Sequence, residues 1–146
     1  MAPPEPRLEA LVPQRGAMCL LDAVAGYDDE HIVCLATSHR APNNPLRVGG
    51  RLPALAAIEY AAQAMAAHGA LTGAGGGRPG RLVALREVLL QAERLDDCAE
   101  PLAVQARRVA AGAGAAVYEF TVVAGARTIA SGRATVLLSA ASGGGR

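Results

Sequence analysis

The stretch from Leu52 to Leu71, LPALAAIEYAAQAMAAHGAL, constrains the fold more than any other part of the chain. It reads as one helix. Pro53 suits a first helical turn, where no amide partner is missed, and Gly69 with the glycines after it supplies a stop. Between them Ala, Leu, Met and Ile occupy nearly every face, so the helix must be surrounded by protein rather than lie on a surface. It is too short and too polar in its middle to cross a membrane. Glu59, Gln63 and His68 interrupt the apolar run. Glu59 and Gln63 are four apart and therefore neighbours on one face. A carboxylate on an enclosed helix is costly unless it has partners or a task, so Glu59 marks a candidate site.

What can enclose this helix follows from the rest of the chain. Met18 to Val24 is a compact apolar run and Ile32 to Thr37 a β-branched one, with the turn Tyr27-Asp28-Asp29-Glu30 between them. That pattern predicts a hairpin. Ser38 to Gly50, SHRAPNNPLRVGG, is a loop of enforced shape, given its prolines, asparagines and glycines. After the helix and the connector GAGGGRPG come strand-like segments at Leu82 to Ala92, Leu102 to Val109, Val117 to Val123 and Thr128 to Leu138. In Val117 to Val123 the alternation of Tyr118, Phe120 and Val122 with Glu119 and Thr121 predicts one dry and one wet face. An α+β architecture follows, an antiparallel sheet curled around one long helix. A single domain over 8–139 is expected, with 1–7 and 140–146 as flexible tails. An open sheet leaves exposed edges, so pairing with a second subunit is expected too.

Composition excludes several function classes. The 146 residues are 51% hydrophobic but only 3% aromatic, with no Trp, so alanine and valine must fill much of the core. Net charge is +1, with no basic tract and no aromatic platform, which argues against nucleic acid. Cys19, Cys34 and Cys98 show no C-x-x-C spacing, so we expect reduced thiols in a cytoplasmic protein, with neither metal nor cofactor. The N-terminus MAPPEPRLEA has no apolar core of an export signal.

Two stretches carry a family resemblance. Pro13-Gln14-Arg15-Gly16-Ala17-Met18-Cys19-Leu20-Leu21-Asp22 resembles the P-H-R-x-P-x-L-L-V-D opening of the hot-dog-fold 3-hydroxyacyl-(acyl carrier protein) dehydratases. Pro53 to Gln63 is similar to the P-G-x-L-x-x-E-x-x-A-Q start of that family's central helix. The dehydratase-like proteins of aryl-polyene gene clusters, with a small-residue L-P-A-x-x-x-x-E-x-x-A-Q helix start, look closer still. The resemblance implies a hot-dog fold and a 3-hydroxyacyl chain carried as a thioester on acyl carrier protein or coenzyme A. It implies that Glu59 helps the hydroxyl leave, that the Ala54 backbone after Pro53 polarises the thioester carbonyl, and that Gln63 supports Glu59. Asn44 stands where the family's catalytic His is usual, Gln14 where the opening motif has His, and Ala54 where it has Gly. Asn44 forms hydrogen bonds but is no base near neutral pH, and Asn44→His is expected to restore part of the family's arrangement. His39 is the remaining candidate for the base. His68 falls on the helix face opposite Glu59 and reads as structural or exposed, and His31 as a turn residue. Arg40, Arg47, Arg51, Arg78, Arg81 and Arg86 flank the helix in sequence and form a candidate docking patch for an acidic carrier. Two further readings stay open: an acyl thioesterase with Glu59 as base, and a catalytically inactive carrier-binding subunit, either of them a homodimer or paired with a related hot-dog subunit.

Overall fold

The computed structural model describes residues 8–12, 14, 16–73 and 81–137. The Pro-rich lead, the connector after Gly73 and the tail lie outside these residues, as do Pro13, Arg15 and Arg78. The helical elements are α1 (Leu8–Leu11) and α2 (Ala57–Leu71), with single 3₁₀ turns at Gly16–Met18, Ser38–Arg40 and Ala54–Ala56. The strands are β1 (Ala23–Tyr27), β2 (His31–Ala36), β3 (Arg81–Leu90), β4 (Leu102–Gly112), β5 (Ala115–Ala124) and β6 (Arg127–Leu137). They form one six-stranded sheet in the order β1-β2-β4-β5-β6-β3, with every pairing antiparallel. This is the hot-dog fold.

The helix is enclosed as its composition requires. Tyr60, Ala61, Ala64, Met65, Ala67 and His68 are all fully buried. Alanine at so many positions lets the strands approach closely, and Tyr118, Phe120, Val104, Val122 and Ile129 fill the sheet's inner face. β5 alternates along its whole length, Ala116, Tyr118, Phe120, Val122 and Ala124 buried. Gly132 on β6 makes room for Phe120, because a Cβ there would sit 2.8 Å from the ring.

Two elements depart from the sequence-based expectation. The first strand is Ala23–Tyr27, not Met18 to Val24, and Tyr27 belongs to it rather than to the turn. Leu20 and Leu21 are apolar because they plug the core ahead of the sheet. Asp22 then ties the entry to β1: its Oδ2 accepts from Thr37 N (2.9 Å) and Thr37 Oγ1 (2.7 Å). The turn itself is Asp28 to Glu30, where Asp28 Oδ1 accepts from the Glu30 and His31 amides at 2.9 and 2.7 Å. His31 opens β2. The second departure is the helix start, where Pro53 is paired with Arg94 and the helix begins through the 3₁₀ turn at Ala54.

The sheet's two edges differ. β3 exposes Val83, Leu85, Leu89 and Leu90, with a bulge between Arg86 and Leu89 where Glu87 takes φ 57°. An apolar edge strand of this length is unusual for a chain that stays alone.

Candidate active site

The opening segment of the chain lies across the N-terminal half of α2 and is fastened there by Gln63. Its Oε1 accepts from Leu20 N at 2.9 Å, and its Nε2 donates to Met18 O at 2.6 Å and to Glu59 Oε2 at 3.2 Å. The amide orientation follows from chemistry, since an N–H must meet oxygen and a carbonyl must meet NH₂. Gln63 is fully buried and has no donor left to give. Glu59 is half-buried, and a second amide reaches it: Gln14 Nε2 donates to Glu59 Oε2 at 2.8 Å. Both donors meet the same carboxylate oxygen. Oε1 has no partner among the described residues.

Asn44 is spent on the fold. Its Nδ2 donates to Ser38 O (2.9 Å) and Tyr60 Oη (3.1 Å), and its Oδ1 accepts from Leu46 N at 2.9 Å. Tyr60 Oη also lies 2.7 Å from Ser38 Oγ, which donates to Leu20 O at 2.7 Å. With the serine proton committed to Leu20, the phenol donates to Ser38 and accepts from Asn44. Burial pushes the Tyr60 phenol above its usual range, so it stays protonated as this order needs. The shaped loop is thereby pinned to α2.

His39 is fully buried beyond the end of β2, not facing solvent. Its Nε2 lies 3.1 Å from Cys98 O and 3.0 Å from Glu100 O. Carbonyls only accept, so Nε2 carries the proton. Burial lowers the ring's affinity for a second one, and Nδ1 has no hydrogen-bond partner. Arg40 donates to Ala99 O at 2.8 Å, so both residues hold the segment that leads into β4. Among the described residues no hydrogen bond joins His39 to Glu59 or Gln63.

The helix start is stitched to the segment after β3. Leu52 N donates to Asp96 Oδ1 at 2.9 Å, and Leu95 N to Leu52 O at 2.8 Å. Ala54 N, the amide that the resemblance aims at a thioester carbonyl, donates to Glu93 O at 3.0 Å. The hydrogen bond from Arg94 holds the Asp96 carboxyl far below the usual carboxylate range. Arg40 and Arg47 give their guanidinium groups to loop carbonyls, Arg47 to Ala41 O (2.9 Å) and Gly50 O (2.6 Å), while Arg81 and Arg86 lie on β3. His68 is buried and structural, its Nδ1 2.7 Å from Tyr118 Oη and its Nε2 2.8 Å from Asp28 O. Among the described residues no three His, Cys, Asp or Glu side chains gather as a metal would need, and no helix is long and apolar enough to cross a membrane.

Gln14 is the functional candidate that sequence reasoning missed. It was visible only as a departure from the opening motif, and its contact with Glu59 spans 45 residues. A family model described as ApeP-like, ApeP dehydratase, matches residues 6–142. The chain belongs to the ApeP-like dehydratase family. Among solved structures it resembles the dehydratase heterocomplex ApeI:P from Xenorhabdus doucetiae, with TM-score 0.80, 21% identity and 92% of each chain covered. It also resembles smu.793 from Streptococcus mutans bound to acetyl CoA, at TM-score 0.61 and 11% identity over 80% of this chain and 87% of that one. The E. coli PaaI protein from the phenylacetic acid degradation operon matches at TM-score 0.60 and 15% identity, over 79% and 81%. No curated protein sequence matches the chain.

Proposed function

We propose that the chain is one subunit of a hot-dog dehydratase that removes water from 3-hydroxyacyl thioesters, with Glu59 as the group that serves the departing hydroxyl. In this reaction a base takes the C2 proton, the C3–O bond breaks, and the hydroxyl leaves with a proton as water, giving the 2-enoyl thioester. The observation that carries the reading is Glu59: a carboxylate on an enclosed helix, held at one oxygen and, among the described residues, unengaged at the other, in a family of dehydratases. The chain itself places no imidazole against it. His39 keeps a neutral, unpartnered Nδ1 and is the one base the sequence offers, but its contacts lie on the segment before β4. We therefore assign the C2 base to a second hot-dog subunit, paired along the apolar edge of β3. The resemblance to a dehydratase heterocomplex supports this. The carrier is acyl carrier protein or coenzyme A; similarity to a coenzyme A-bound structure favours a thioester in either case.

Incubation with 3-hydroxyacyl and saturated acyl thioesters of coenzyme A, alone and with a related hot-dog subunit, tests the reading. Enoyl product is expected, absent in Glu59→Gln. Release of free thiol without enoyl product assigns a thioesterase instead, and neither product, with the carrier still bound, assigns a non-catalytic subunit. His39→Ala that removed all turnover would return the base to this chain. Light scattering should give the mass of two chains or of chain plus partner, since obligate interfaces usually bury more than about 2,000 Å²; a monomer at micromolar concentration overturns the pairing.

A further inference from the structure

We infer that Gln14 is a positioning residue for Glu59: with Gln63 it fixes the carboxylate so that Oε1 alone faces the reaction and carries the proton whenever Glu59 is protonated. This rests on the dehydratase reading for its consequence in turnover but not for its geometry. Glu59 Oε2 receives two N–H donors, from Gln14 at 2.8 Å and from Gln63 at 3.2 Å. An oxygen already accepting two such bonds has no room for a proton of its own, so a proton on this carboxyl must sit on Oε1. The two donors differ in kind. Gln63 is locked on the same helix by Met18 O and Leu20 N. Gln14 comes from the opening segment, 45 residues away, and makes the shorter bond.

The placement of Gln14 depends on the opening segment that Gln63 ties down. Met18 and Leu20 are bound to Gln63, Leu20 O takes the Ser38 hydroxyl, and Asp22 closes on Thr37. The opening motif therefore works as one piece: its C-terminal half fastens the segment to the sheet and helix, and its N-terminal half delivers an amide to the carboxylate. An imidazole would serve at the same position, because it keeps at least one N–H in either charge state. That gives a physical reason why a Gln here can stand in for the His of the resembling motif.

The test uses the protein as purified, with its partner subunit where one is needed, and reads two independent signals. The first is the carboxylate stretch of Glu59, isolated as the infrared difference between wild type and Glu59→Gln, each labelled with ¹³C-carboxyl glutamate. Gln14→Leu should move that band and Gln14→His should leave it near its wild-type position. The second signal is turnover of 3-hydroxyacyl-coenzyme A. Gln14→Leu should lower kcat by about 10²-fold, the usual cost of a misplaced reacting group, with little change in KM, and Gln14→His should restore most of it. Gln14→Glu keeps the size of the side chain if the leucine variant fails to fold. It should lose turnover near neutral pH and regain it as pH falls, when the introduced carboxyl becomes a donor. A Glu59 band unmoved by both Gln14→Leu and Gln14→Glu overturns the inference. Full kcat in Gln14→Leu, where Glu59→Gln is dead, also overturns it. If wild type turns over no thioester, the dehydratase reading fails and the infrared band alone decides the role of Gln14.

Discussion

The two ends of α2 handle the same problem in opposite ways. Near its C-terminal end, His68 is buried among strands, and every polar hydrogen is accounted for. Its Nε2–H donates to Asp28 O at 2.8 Å, and the Tyr118 hydroxyl donates to Nδ1 at 2.7 Å. The rings meet edge to face with centroids 5.5 Å apart. Burial lowers the His68 pKa and pushes Tyr118 up to about 12, so both stay neutral. Near the N-terminal end, Glu59 is half-buried and, among the described residues, satisfied at one oxygen only. A closed polar group holds a fold together; one left half-open is available for chemistry. Nine residues on one helix, about half a turn out of phase, separate structure from site.

The sharpest way to break this comparison is to exchange the roles. Glu59→Gln keeps shape and removes the carboxylate, so turnover should fall by about 10²–10⁴-fold, the usual worth of a positioned acid or base. The urea midpoint should stay near wild type; a large loss of stability would place Glu59 with His68 as a structural group. His68→Leu should do the reverse. It removes the acceptor of the buried Tyr118 hydroxyl, at about 1–3 kcal/mol for the unsatisfied group, while Asp28 O lies in an exposed turn that water reaches. Stability measured by urea denaturation should drop accordingly, while kcat of the folded fraction stays at the wild-type value.

Asn44→His is the intermediate case. On sequence alone it restores an imidazole where the resembling family has one. In the fold, Asn44 supplies both donors that join Ser38 O and Tyr60 Oη, and the acceptor for Leu46 N. An imidazole cannot replace all three. The substitution should therefore cost about 1–3 kcal/mol and gain no turnover. Higher activity at unchanged stability would show that the shaped loop tolerates a base at this position and would place Asn44 with the open group.

How much of this was legible in the sequence depended on range. The enclosed helix, the strand-rich second half and the pairing of Glu59 with Gln63 follow from local periodicity, and the last is a contact over four residues. The first strand was misplaced because Leu20 and Leu21 look like strand residues when their apolarity serves core plugging. His39 and Gln14 could not be placed, because their partners are 59, 61 and 45 residues away and no local pattern encodes that register. The use of the Ala54 amide by Glu93 O is of the same kind, fixed by the pairing of Pro53 with Arg94.

The smallest expected effect sharpens the closed end alone. His68 is surrounded by Tyr118 and Arg108 from the sheet, and by Asp28 and His31 from the first hairpin. Its pKa is lowered from the ordinary 6.5, chiefly by burial. Above about pH 6.5 neither folded nor unfolded chain protonates this ring, and its buried arrangement contributes in full. As pH falls below that value the unfolded chain takes up a proton that the folded one refuses, so stability declines. His39, lowered for the same reason, adds to the slope in the same window. The carboxylates held low by partners, Asp28, Asp96 and Glu119, lose their contribution only at far more acidic pH, so they do not blur it. Urea midpoints between pH 7.5 and 5.5 should fall for wild type. In His68→Gln the amide offers a donor for Asp28 O and an acceptor for Tyr118 without titrating. That variant should begin somewhat lower at pH 7.5 and decline less steeply, keeping only the His39 part. Parallel curves for the two proteins would show that His68 does not titrate differently on folding, and its closed hydrogen-bond arrangement would then have no role in acid stability.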